Sequence, residues 1–246
     1  MGLKASPADQ ALLLDLHEFD TRIAQIGHRA SSLPETAALA DLAAQLDALR
    51  ATLAERRGTV EDLGTELTRV VGDVRVVEER IARDTARLQS SSSVKDIQGL
   101  EQELDSLRRR LADLEEIELA VLERQEEAEA ALAEVTTALE EVSRSIASTT
   151  ADRDAALGTL AGERTAAAAA RAELAGRLPA DLLALYEKQR ARYGVGASLL
   201  QRGVSTASGV TLTEDELQGI RAAAPDDVMI CPSSDAILVR TDESGL

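Results

Sequence analysis

The 246-residue chain has no tryptophan, one phenylalanine and two tyrosines. The three rings are Phe19, Tyr186 and Tyr193. A compact core of this length normally draws much of its buried area from aromatic side chains. The apolar surface is therefore expected to be buried by another geometry. The single cysteine, Cys231, excludes an internal disulfide. His17 and His28 are the only histidines, which leaves little for imidazole-based metal or nucleophile chemistry. Cations are scarce: 27 Lys and Arg stand against 44 Asp and Glu, for a net charge of −17. An acidic body repels phosphate and disfavours non-specific nucleic-acid binding, although a local basic patch is not excluded. No apolar run reaches the length of a membrane span. Met1–Gln10 lacks the basic start and apolar stretch of a signal peptide. No membrane association and a cytoplasmic setting are expected. No Gly-rich phosphate loop of the required spacing is present. The abundant carboxylates fall on heptad surfaces, where a solvated charged face is ordinary. Neither catalysis nor a cofactor is expected.

What the chain does have is Ala, Leu, Glu and Arg in quantity, with 44% hydrophobic residues overall. That composition is typical of long helices. Alternate steps of three and four from Leu39 meet Leu42, Leu46, Leu49, Leu53, Arg56, Val60, Leu63, Leu67, Val70, Val74, Val77, Ile81, Asp84 and Leu88. Only Arg56 and Asp84 are polar. The same walk from Ile97 runs to Ile146, broken only by Glu118 and Gln125. Two sustained heptad rows of this kind predict coiled-coil helices. Between them lies Gln89-Ser90-Ser91-Ser92-Ser93. Ser93 suits an N-cap, with Asp96 three residues on. A short loop makes the two helices antiparallel neighbours, so residues 1–178 are expected to form a helical hairpin with its turn near 89–93. A turn centred between Ser91 and Ser92 places Arg56 opposite Glu126 and Glu127, which predicts an ion pair in the seam. The alternative is an arginine snorkelling to solvent. Before Pro34 a separate row runs through Leu12, Leu16, Phe19, Ile23, Ile26 and Ala30. Proline disfavours helix at the preceding residue, so a break is expected at 31–34. The second arm is expected to run to Leu178, with the Ala166–Ala170 run facing the start of the first helix.

Residues 179–246 have a different texture, with ten acids and six bases. A junction helix is expected over Asp181–Arg192, ended by Gly194-Val195-Gly196. Ala197–Arg202 reads as extended, and Gly209–Leu212 as a strand. Thr213 and Glu216 make a capping box for a helix reaching Ala224. Val228–Ile230 and Ala236–Arg240 read as strands. The whole is mainly α: a long antiparallel coiled-coil hairpin with a small α+β tail. The tail's apolar residues, Val210, Leu212, Leu217, Ile220, Val228, Ile230, Ile237 and Val239, are expected to dock on the junction helix near Leu182, Leu185 and Tyr186, or on another chain.

This order of parts, with the segments Leu178–Tyr186, Ile220–Asp227 and Ile237–Thr241, resembles a bacterial family of coiled-coil proteins tipped by a C4-type zinc ribbon, represented in actinobacteria. In that family the tail carries two Cys-x-x-Cys knuckles. The resemblance places them on Ser205-Thr206-Ala207-Ser208 and Cys231-Pro232-Ser233-Ser234, with 22 residues between Ser208 and Cys231. The ligand positions Ser205, Ser208, Cys231 and Ser234 are thus vestigial, since three are serine. Zinc in a closed site takes four thiolate or imidazole ligands, so no metal is expected and Cys231 reads as a free, partly buried thiol.

Two functional readings follow. The resemblance implies a partner-binding accessory protein, an adaptor or scaffold that engages a protein through the hairpin and tail. Members are also commonly described as nucleic-acid-binding. Lys188, Arg190, Arg192 and Arg202 around Tyr193 would then be a small basic patch with one stacking residue. Their plainer reading is cations favoured by a helix C-terminus. A hairpin satisfies its own seam, so a monomer is the default, with a dimer through the tail or Ala-rich faces as the other option.

Overall fold

A computed structural model describes residues 2–245. The helices are α1 (Pro7–Ser31), α2 (Pro34–Ser90), α3 (Val94–Ala175), α4 (Ala180–Tyr193) and α5 (Glu214–Ala222). The strands are β1 (Ala197–Gln201), β2 (Val204–Ser205), β3 (Met229–Ile230) and β4 (Ile237–Val239), followed by a short 3-10 turn, Asp242–Ser244. The chain divides into two compact units. One is Glu35–Ala151, and the other joins the residues before it to those after it. The expected boundary after residue 178 falls inside this second unit.

In the unit Glu35–Ala151, α2 and the first part of α3 form the antiparallel hairpin. Leu63 and Val70 of α2 and Leu104, Leu107, Leu114 and Val121 of α3 are buried. All six belong to the 3-4 rows, so the apolar stripe is the seam. The loop is Ser91–Ser93, and Ser93 Oγ accepts from the Asp96 amide at 3.4 Å. Arg80 reaches Glu103 at 2.6 Å and Arg124 reaches Glu66 at 3.4 Å across the helix pair. Asp84, one of the two polar residues in the first row, is buried, with Arg87 at 3.3 Å and Arg80 at 3.8 Å. The other, Arg56, corrects an expectation. It is exposed and takes part in none of the ion pairs among the described residues, Glu126 and Glu127 included. A guanidinium on a long stem can leave a two-helix seam for water, and hydration outweighs a pair made at the cost of desolvation.

The second unit is built on α1. Ser6 caps it by accepting from the Asp9 amide at 3.0 Å, and Pro7 stands at its first position, where no amide donor is needed. Leu13 and Leu16 are fully buried and pack with Leu174, Leu178, Leu182, Tyr186, Ala197, Ile237 and Val239. Leu13, outside the expected row, is buried more deeply than Leu12. α3 ends at Ala175 rather than Leu178, and a turn leads to α4.

The sheet order is β2-β1-β4-β3, with β1 parallel to β4 and the other pairs antiparallel. Strand alternation divides the side chains between two cores. Ala197, Ile237 and Val239 join α1 and α4, whereas Leu200 and Leu238 join Leu212, Ile220 and Cys231 on the other face. The docking expectation therefore holds for Ile237 and Val239, and for Val228 at the edge of the same cluster. Leu212, Leu217 and Ile220 form the separate cluster, and Val210 and Ile230 are exposed. Gly209–Leu212 is not a strand. Gly209, at φ +66°, turns the chain back and leaves a single bridge, Val204 to Thr211. Arg202 and Gly203, at φ 47° and 79°, are the two central residues of the tight β1–β2 turn. The α5 capping box forms as expected, although the helix ends at Ala222. The Arg240 guanidinium then donates to the carbonyls of Ile220, Ala223, Ala224, Pro225 and Asp227, which closes the helix end.

Candidate functional site

The junction between α1, the last turns of α3, and α4 is held by one carboxylate. Asp20 accepts from Tyr186 Oη at 2.6 Å, from Arg171 Nε at 2.7 Å and Nη2 at 3.2 Å, and from Arg190 Nη1 at 3.2 Å. Glu187 accepts from Arg171 Nη2 at 2.6 Å and from Arg190 Nε at 3.0 Å. Burial works to raise the Asp20 carboxyl, but hydrogen bonds from Arg171 and Tyr186 and the charges of Arg171 and Arg190 hold it below its ordinary value. Glu187 is lowered by the same two arginines against the same opposition from burial. Burial and the Asp20 bond push the Tyr186 hydroxyl well above its usual range, so it serves as a fixed donor. The network locks three helices at the point where the tail begins. A Cβ at Gly196 would run into the Tyr186 ring, so the close passage of β1's approach over that ring requires glycine.

Beside the network lies an open cleft of about 830 Å³, lined by His17, Asp20, Thr21, Ala24, Gln25, His28 and Arg29 of α1 and by Arg190, Gly194 and Val195. His17, Thr21, Ala24 and His28 recur at helical spacing and so share one face of α1. Burial lowers the His17 imidazole below its usual value, against the pull of the Asp20 charge, and its Nδ1 is buried with no partner.

Of the expected basic patch, the structure brings part together. Arg190 is committed to Asp20 and Glu187. Arg192 lies over the Tyr193 ring at 5.1 Å, and Tyr193 is exposed. Lys188 makes no side-chain ion pair among the described residues. Arg202 sits apart, at the β1–β2 turn.

The four vestigial ligand positions do converge, but as a hydroxyl cluster. Ser205 is fully buried and shares a hydrogen bond of 2.8 Å with Ser198. Ser208 meets Ser233 at 3.1 Å, and Ser233 meets Cys231 Sγ at 3.2 Å. Ser234 Oγ is buried without a partner of ordinary geometry. Burial pushes the Cys231 thiol up, but the hydroxyls of Ser205, Ser233 and Ser234 and the Ser233 amide outweigh it, which brings the thiol down to about 7. One thiol among hydroxyls already bonded to each other does not match the donor set of a structural zinc. Among the described residues no group of three His, Cys, Asp or Glu side chains is placed to hold a metal.

The helical part of this arrangement recurs in known proteins. A family model described as the CT398-like coiled coil hairpin domain matches residues 16–194. The chain belongs to that family. An uncharacterized protein of Mycobacterium tuberculosis is 36% identical over 241 residues, covering 98% of both chains. A solved structure from Mycobacterium smegmatis is 36% identical with a TM-score of 0.83, covering 97% of this chain and 100% of the other. CT398 of Chlamydia trachomatis is 15% identical with a TM-score of 0.62, over 94% and 97% of the two chains, a likeness of fold alone. The CT398-like match ends at Gly194, immediately before β1 approaches the sheet. It includes the Asp20–Arg171–Glu187–Arg190 network and most of the cleft, and gives no support to a zinc ribbon in the tail. Sequence reading missed that network. Arg171 follows an uninterrupted Ala run, a signal visible in the sequence, but Asp20 stands among Glu18 and Arg22 and nothing marks it out until α1 and α3 are set side by side.

Proposed function

We propose that the protein is a non-enzymatic adaptor or scaffold that binds a protein partner through its hairpin and tail. One observation supports this most. On the hairpin of residues 35–151, where the seam is already filled, the aliphatic side chains Val71, Val76, Ile117, Leu119 and Leu122 remain exposed, Val76 and Leu119 at 62%. Apolar side chains left in water on a charged helix pair offer surface whose removal from solvent favours binding to a protein. A cytoplasmic monomer is the state we assign to the free chain. Among the described residues no helix is long and apolar enough to cross a membrane.

The nucleic-acid reading has one observation in its favour, the exposed Tyr193 with Arg192 stacked on it. It is the weaker of the two, because Arg190 is spent on carboxylates and the chain carries −17. The test is site-specific photo-cross-linking from Leu119 and Val76 in lysate of the source organism, alongside binding to single- and double-stranded DNA and RNA at low and higher salt. Specific cross-links to one protein species from both positions are expected. Salt-sensitive nucleic-acid binding abolished by changing Arg190, Arg192 and Arg202 to Ala, without protein cross-links, would overturn the adaptor reading in favour of the other.

A further inference from the structure

A two-helix hairpin has an open side on either flank of its seam, and in residues 35–151 the two sides differ. One side carries the cross-helix pairs Arg80–Glu103 and Arg124–Glu66. Glu66 and Arg80 are whole heptads apart on α2, as are Glu103 and Arg124 on α3, so each couple shares one face. On the other side no ion pair crosses between the helices among the described residues. That side holds Gly64, Thr68 and Val71 of α2 and Ala112, Leu119 and Leu122 of α3, each set at three-, four- or seven-residue spacing. The register of the two cross-helix pairs brings Leu119 and Leu122 level with Gly64, and Ala112 level with Val71. Val71, Leu119 and Leu122 are 45%, 62% and 38% exposed. A Cβ at Gly64 would meet no neighbouring atom, so the groove is open there. From Ala112 to Leu122 the strip is about 16 Å long, or three helical turns. The charge around it has one sign. Asp113–Glu129 contains eight acids and one base, and that base, Arg124, is turned to Glu66 on the opposite side. None of the eight carboxylates takes part in an ion pair among the described residues. The facing stretch of α2, Glu55–Arg69, adds four acids and three bases, so the excess stays negative. At the tip end, Arg75 and Arg108 are balanced within their own helices by Glu79 and Asp105. Glu115 stands inside the strip itself, three residues after Ala112 and four before Leu119.

We infer that this side of the hairpin, between Gly64–Val71 and Ala112–Leu122, is the docking site for one amphipathic helix of a protein partner, aliphatic along its stripe and basic along its flanks. The inference rests on the adaptor reading and adds to it the face used and the chemistry of the contact. A third helix laid along the groove covers Val71, Leu119 and Leu122 with its own aliphatic stripe and enters the space at Gly64, the ordinary mode of helix recognition by a groove. Its Lys or Arg side chains meet Glu115 and the unpaired carboxylates beside it. Charge complementarity of this kind selects the partner more than it sets raw affinity. Two other occupants are disfavoured by the same charge. A second copy of this chain meeting the same side would bring like carboxylates together, and the phosphates of a nucleic acid would be repelled.

The chain has no tryptophan, so a peptide carrying one reports its own binding to the full-length protein by fluorescence. The probes are a synthetic leucine–lysine peptide with leucines at three- and four-residue spacing, a scrambled peptide of the same composition, and the leucine–glutamate counterpart. Binding of the spaced lysine peptide is expected, at least tenfold tighter than either control. Methyl resonances of Leu119 and Leu122 are expected to shift with it, while those of Val76 stay in place. Val76 precedes Arg80 by four residues and so lies on the ion-paired side. Leu119→Lys and Val71→Lys, both at exposed positions, are expected to weaken the lysine peptide roughly tenfold with an unchanged far-ultraviolet spectrum. Val76→Lys adds the same charge on the other side and is expected to leave binding as it was. No binding up to millimolar peptide, equal binding of the scrambled peptide, tighter binding of the glutamate peptide, or an equal loss in all three variants would each overturn the proposal. If a partner captured by cross-linking binds Leu119→Lys and Val71→Lys as it binds the parent chain, this face is refuted and the adaptor reading stands. If neither Leu119 nor Val76 cross-links to any protein, the adaptor reading falls on its own test and this inference falls with it.

Discussion

Asp20 carries more of this structure than any other single side chain. From α1 it is the acceptor for two arginines and a tyrosine on two other helices, α3 and α4. Removing it by Asp20→Ala leaves Arg171, which is largely buried, without its main partner. Breaking a buried pair in this way costs about 3–5 kcal/mol, and the low end is expected because Arg190 is partly exposed. Tyr186→Phe removes one charge-assisted bond and is expected to cost about 1.5 kcal/mol. Both tyrosines lie near this junction, so tyrosine fluorescence during urea unfolding reads the loss directly. A stability unchanged in Asp20→Ala would show that the network contributes nothing. Cys231 makes a second case in which local chemistry and access oppose each other. Its thiol is lowered to about 7, yet the side chain is fully buried. Iodoacetamide is therefore expected to react slowly with the native chain and rapidly once the tail is unfolded. Fast labelling of the native protein would contradict the packing around Cys231.

At the scale of elements, heptad rows and strand alternation each determine which face is buried, but polar interruptions behave differently from one another. Arg56 reaches water on its long stem, whereas the short side chain of Asp84 stays in the seam. Asp84 is held only by Arg80 and Arg87, both largely exposed, so its replacement leaves no buried charge behind. Replacing a buried ion by an apolar residue of similar size is often neutral or stabilising. Asp84→Leu is expected to stabilise the hairpin by about 1 kcal/mol, seen as a higher midpoint in helical circular dichroism. A lower midpoint would mean that the carboxylate specifies the seam rather than weakening it. The hairpin, its turn at Ser91–Ser93 and the α5 cap were legible because each depends on neighbours close in sequence. The strand expected at Gly209–Leu212 failed because a left-handed glycine reverses the chain there, and apolar alternation alone does not reveal a turn.

Across the whole molecule, Asp20, Glu187 and His17, which titrate below neutrality, act in one direction. Asp20 and Glu187 are lowered from 3.8 and 4.5, so the unfolded chain takes up their protons first as pH falls. Their contribution is present above those values and is lost as pH drops through the folded ones. His17 is lowered from 6.5, so the folded imidazole stays neutral where the unfolded one is charged, and stability again falls with falling pH below about 6.5. Thermal midpoints are therefore expected to rise from pH 4 toward neutrality. His17→Asn should flatten the part of that curve just below 6.5. A curve that rises on acidification, or one left unchanged by His17→Asn, would contradict the burial of His17 against α1's neighbours.

The sequence by itself determined the class of this protein. Its heptads dictate paired helices, because a 3-4 stripe of Leu and Val has no stable place except against another such stripe. The near absence of aromatics follows, since a two-helix seam is filled by aliphatic side chains. Only the tertiary structure decided where the chemistry lies. Asp20, Arg171 and Arg190 are far apart in the chain, and their charges have meaning only once three helices bring them within hydrogen-bond distance. The same holds for the cleft. Its donors sit on α1 and on the end of α4, and no spacing rule links residues 17–29 to 190–195. Local periodicity encodes which face is buried, whereas contacts between distant segments depend on how the buried faces are shared.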